Sequence, residues 1–230
     1  MDEPVVSVRG EAILEVEPET ALVNVAVGAR DKSRDETLRR LDERSTAVLR
    51  LVESFGDAVD KVETANVRIG PEFKDGKPNE RITGYTAVIR HGVTVTDFAR
   101  LGDLVARLAE LEMVDVNGPW WALRRDSPTY REARKQAVRE AVTRGRDYAE
   151  ALGTTLTGVV ELADSGLLSE AVDHGGASFP GQPVAPSAIR MSAGAPAPQP
   201  VTLDLEPVRQ TVRATVEARF RMSSPAEGSL

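Results

Sequence analysis

Apolar and polar residues alternate from residue 208 to residue 222, with Gln210 the one polar member of the apolar side. Val208, Gln210, Val212, Ala214, Val216, Ala218, Phe220 and Met222 share one side; Arg209, Thr211, Arg213, Thr215, Glu217, Arg219 and Arg221 share the other. Successive side chains of a strand point to opposite faces, so this is a long strand with one face in a core and one in water. Such a strand is stable only against neighbouring strands and a second layer over its apolar face. It must rejoin a sheet with other strands across a long loop.

The upstream segments read as further strands and three helices. Residues 5–8 and 12–16 are short extended pieces around Gly10, where a bulge or bend is expected. Residues 22–27 carry Val at every second place, and 62–73, 82–96, 114–123 and 159–162 are also extended. Asp75-Gly76 is a hairpin-turn dipeptide, and Gly92 is expected to kink a strand that would otherwise reach roughly 50 Å. Ser33 and Glu36 have capping-box spacing ahead of Leu38, Leu41, Val48, Val52 and Phe55, with Gly56 as a stop. Asp97 precedes the stripe Leu101, Leu104, Val105 and Leu108. Ser127-Pro128 opens a third, Ala-rich helix with Tyr130, Ala133, Ala137, Ala141, Tyr148 and Leu152 on one stripe and Gly153 at its end. The order predicts an α+β fold: a long-stranded, largely antiparallel sheet with three amphipathic helices on one face.

A chain of 230 residues fits one domain, placed at residues 4–222. Residues 165–200 are dominated by Ala, Gly, Pro and Ser, with only Glu170, Asp173 and Arg190 charged. Such a segment has little to bury against its ordering entropy and is expected to be a flexible excursion within the domain. Residues 223–230 are expected to form a disordered tail.

The chemical inventory is small. There is no Cys, which excludes disulfides, thiolate metal sites and cysteine nucleophiles, and there are 2 His. A net charge of −7 argues against a sequence-independent nucleic-acid binder. No run of 18 apolar residues occurs, so no membrane span is expected. The opening Met1-Asp2-Glu3-Pro4 has no secretory-signal pattern, which points to the cytoplasm, or to a periplasmic or other extracytoplasmic site if a leader has been trimmed. His91 shares the parity of Tyr85 and Ile89 and is expected on the core side; His174 falls in the excursion. Neither has the companions of a metal site or a triad, so no catalytic residue, metal or cofactor is expected. Trp120 and Trp121 are adjacent, and alternation sends one indole inward and the other outward.

Several short motifs, in order, carry a resemblance. Val6-Ser7-Val8-Arg9-Gly10-Glu11, residues 62–67, Ile82-Thr83-Gly84-Tyr85-Thr86-Ala87 and Val116-Asn117-Gly118 resemble the motifs of the SIMPL-domain family. The Ala-rich helix, the Pro/Ala-rich excursion and the last alternating strand follow that family's layout, over about residues 4 to 222. The resemblance implies a bacterial protein with an envelope or stress-related role and no established catalytic residues. It also implies structural roles for Gly10, Gly84, Tyr85 and Gly118, and a core position for Trp121, leaving Trp120 outward.

Three functions follow. The first is a non-catalytic SIMPL-type domain that self-associates or binds a protein partner through its sheet edges or wet face, with Trp120, Arg213, Arg219 and Arg221 as contact residues. The second is a small-molecule module with a pocket near Trp120, Tyr85 and His91. The third is a hydrolase using a carboxylate and His91.

Overall fold

A computed structural model of the chain describes residues 3–74, 81–164 and 203–224. The expected turn at Asp75-Gly76, His174, the 165–200 excursion and most of the 223–230 tail lie outside the described residues. The chain divides into two compact units. One contains described residues 15–127 and 203–211; the other contains 3–14, 128–164 and 212–224.

The first unit is built from β2 (Thr20–Asp31), α1 (Arg34–Glu53), β3 (Val59–Phe73), β4 (Ile82–Val95), α2 (Leu101–Ala109) and β5 (Val114–Ala122). Its sheet has the order β3-β4-β2-β5, with every neighbouring pair antiparallel. This is the split β-α-β arrangement doubled, in which each crossover helix returns over the same face. On that face Ala21, Val23, Val25, Val27 and Ala29 of β2 pack with Ala87, Val93 and Val95 of β4. Leu41, Val48 and Val52 of α1 and Leu101, Leu104 and Leu108 of α2 cover them. The i, i+3, i+7 stripe of α2 is therefore buried as its sequence predicts.

The α1 start is only half a capping box. Ser33 Oγ accepts from the Glu36 N–H at 3.5 Å, but the Ser33 N–H donates to Asp31 Oδ1 at 3.0 Å. Glu36 instead faces Arg39 and Arg40, whose guanidinium groups hold its carboxyl down at about 2. Ser33→Ala is expected to cost about 1 kcal/mol, measured as a lower urea midpoint with unchanged slope. An unchanged midpoint would show that Asp31 carries the cap.

The second unit holds α3 (Pro128–Ala151) against a sheet of order β1-β7-β6, made of β1 (Val5–Val16), β7 (Gln210–Met222) and β6 (Leu156–Asp164). Strands β1 and β7 begin or end in the other unit. The last alternating strand is thus the centre of a sheet, with Val212, Val216, Ala218, Phe220 and Met222 buried.

Three expectations change in detail. The α+β, antiparallel character stands, but the strands form two sheets rather than one, with α1 and α2 on the four-stranded sheet and α3 on the other. Alternation tells which face of a strand is buried, not which strand lies beside it. Next, β1 is one continuous strand through Gly10. That glycine admits α3: a Cβ there would lie 2.1 Å from Ala137 O and 2.6 Å from Ala141 N. Finally, the buried stripe of α3 is Ala133, Ala137, Ala141, Gly145 and Ala149, whereas Tyr148 and Leu152 are exposed. A helix lying this close to a sheet admits only small side chains at the contact. Strand β4 runs from Ile82 to Val95 and keeps its register with β2 through Gly92.

Candidate functional site

His91 sits in the middle of β4, opposite Val25 of β2 and Thr64 of β3. It is 1% exposed, beneath α1. Its Nε2 meets Ser45 Oγ at 2.9 Å and its Nδ1 meets Thr64 Oγ1 at 3.3 Å. Burial pushes the imidazole below the ordinary histidine value, so the neutral ring is favoured. A neutral ring has one N–H donor and one acceptor nitrogen, which the two hydroxyls satisfy together. The serine-histidine contact lies inside the core, with Ser45 itself buried. Its evident work is to fasten α1 and β3 to the central strand.

Trp120 and Trp121 divide as alternation requires. Trp121 packs against the core and meets Phe98 edge-on, with ring centroids 4.9 Å apart. Trp120 is 45% exposed on the opposite face, paired across strands with Leu22. A register shift between Leu22 and Asn24 accompanies Gly118, whose φ of +119° favours glycine. A Cβ at Gly118 would also lie 2.8 Å from Leu22 O.

Trp120, Tyr85 and His91 are not brought together. Trp120 lies on the face opposite α1 and α2, while His91 and Tyr85 lie on the face those helices cover. Tyr85 pairs with Asp31 at the far end of β2 from Leu22. These three residues therefore do not line one pocket, because sequence order cannot show that β4 and β5 present them to different faces. Gly84 is buried, and a Cβ there would lie 2.9 Å from Asp31 O, while the Tyr85 carbonyl accepts from Thr37 Oγ1 at 3.5 Å.

The arginines of β7 do share one exposed face. Arg219 reaches Ser7 Oγ at 3.3 Å and Glu161 at 3.9 Å, and Arg221 reaches Glu3 at 3.8 Å. Arg9 from β1 pairs with Glu217 at 3.2 Å. Arg213 is also exposed. This face is a lattice of cross-strand charges, each pair contributing little in water.

The least expected feature lies on the edges. Strand β3 is an edge of the four-stranded sheet and β6 an edge of the three-stranded one. Val62, Val67 and Ile69 of β3 face the helix side, yet all are exposed, Val67 at 51%. Val159, Val160 and Leu162 of β6 are exposed too, Val159 at 64%. An edge strand has unpaired backbone N–H and C=O groups, and apolar side chains on it favour further strand pairing. The sequence signal was present in both runs, but only the strand order shows that they are edges.

Among the described residues no group of three His, Asp or Glu side chains is placed to hold a metal ion. Among the same residues no helix is long and apolar enough to cross a membrane.

The molecule is thus an α+β protein of two antiparallel sheets with exposed apolar edges and a buried polar fastening. The chain belongs to the SIMPL family, described as proteins of unknown function (DUF541), whose pattern matches residues 6–220. It is 30% identical over 167 residues to the 26 kDa periplasmic immunogenic protein of Brucella melitensis, covering 69% of this chain and 66% of that protein. The protein of the same name from Brucella abortus matches to the same extent. An uncharacterized protein, YggE, of Edwardsiella ictaluri is 27% identical over 161 residues, covering 66% of this chain and 64% of that one.

Proposed function

We propose that this chain is a non-catalytic binding module that associates with protein, its own copies included, through exposed sheet edges. The observation that carries this reading is the set of apolar side chains left in water on β3 and β6. Monomeric proteins commonly blunt their edges with charge, proline or covering segments, and exposed apolar edges mark association surfaces. The burial of His91 between Ser45 and Thr64 supports the non-catalytic part of the reading, since the histidine sits in the core as a fastening. The names of the Brucella relatives favour a periplasmic location over the cytoplasmic one expected from the first residues. Native mass spectrometry with light scattering across the micromolar range is expected to show species above single-chain mass. A single-chain mass at every concentration would overturn the self-associating form of this reading.

A further inference from the structure

Strand β3 has a self-complementary sequence once its irregularity is taken into account. Its register against β4 slips between Thr64 and Asn66, so Ala65 is an inserted residue. The insertion changes parity along the strand. Val62 and Ile69, seven positions apart, both lie opposite core residues, Val93 and Ala87. Glu63 and Arg68 lie opposite Gly92 and Val88 and share the other face. In a regular strand residues five or seven apart point to opposite faces, so neither pair would match.

Resting on the self-association reading above, we propose that two copies of the chain join through their β3 edges as an antiparallel pair, with a two-fold axis between Ala65 and Asn66. That axis places Val62 of one copy against Ile69 of the other, Glu63 against Arg68, and Thr64 against Val67. Each match occurs twice, as an isologous interface requires. The apolar residues then meet on the helix-side face, and the opposite charges meet on the other. All six of these residues are exposed in the single chain. Glu63 has a local ion pair with Lys61 at 2.6 Å, with both side chains more than half exposed, so it is free to exchange in water.

Charge complementarity selects the partner. A generic strand would satisfy the backbone, but a second copy in this register also satisfies both charges and both apolar positions. Opposite charges directly across a ladder stabilise it, and like charges oppose it.

The experiment uses the full chain with Glu63→Arg and Arg68→Glu, made separately. Either substitution sets two like-charge pairs across the dyad, and the dissociation constant from sedimentation is expected to rise roughly tenfold. Mixed in equal amounts, the two variants restore both opposite-charge pairs, and association is expected to return as a heterodimer in native mass spectrometry. Melting temperatures near that of the parent chain would show that each variant folds. If both variants associate as the parent does, or the mixture fails to recover, the β3 pairing is wrong while self-association by another surface stands. If the parent chain is a monomer throughout, the self-association reading fails with it.

Discussion

Gly10→Val is expected to abolish cooperative melting of the unit formed by β1, β6, β7 and α3, or to lower its midpoint severely. A Cβ at this position would meet Ala137 O at 2.1 Å, Ala141 N at 2.6 Å and Ala141 Cβ at 2.7 Å. Two of these atoms are helix backbone, which cannot swing aside as a side-chain tip can. The whole helix must lift, and the small-residue stripe Ala133, Ala137, Ala141, Gly145 and Ala149 loses its fit to the sheet. Overpacking of this kind costs about 3 kcal/mol or more. For a chain of this size that is a fall in Tm of roughly 6–12 °C. Gly158→Ala in β6 is the control, because nothing lies within 4 Å of its added Cβ. That variant is expected to melt within a degree or two of the parent. Equal melting of Gly10→Val and the parent would refute the close helix-strand approach.

The second large effect centres on His91. His91→Leu removes the partner of the buried Ser45 hydroxyl, while Thr64, being exposed, turns to water. An unsatisfied buried hydroxyl costs about 1–3 kcal/mol. Adding Ser45→Ala to His91→Leu is expected to recover much of that loss in denaturant melts, since two apolar groups then face one another. A strictly additive loss would show that the two side chains act independently.

The same histidine gives stability a pH dependence of definite sign. Its folded value is depressed by burial, whereas the unfolded chain binds that proton near 6.5. Below about 6.5 the unfolded state therefore holds more protons than the folded one. Stability is fully present above that value and is lost as pH falls through the window down to the folded value. His91→Asn is expected to flatten this part of the profile as pH falls below about 6.5. Parallel profiles for parent and variant would remove His91 as the source.

Much of the fold can be traced from residue order. The amphipathic stripes of α1 and α2, the alternation of β2 and β7 and the inward parity of His91 all follow from the fixed periods of helix and strand. The glycine stops are legible for the same reason: Gly56 and Gly153 adopt φ of +54° and +67°, where a Cβ is unfavourable. The candidate site was legible only in part. Alternation separated Trp120 from Trp121 and the family resemblance set Trp120 outward, but the pocket that grouped it with Tyr85 and His91 required knowledge of which face each strand presents. The role of Gly10 was equally hidden, because a bend and a close approach by a helix both call for glycine.

By itself, then, the sequence determined an α+β chain of long half-buried strands, three helices and almost no reactive side chains. Local periodicity carries that information, since it depends on neighbours within a few residues. The tertiary structure decided that there are two sheets, that β7 is central and that β3 and β6 are edges. Strand neighbours are chosen by pairing and packing between residues far apart in the chain, and no local pattern encodes them uniquely. The exposed apolar edges on which the functional reading rests belong to this second kind of information.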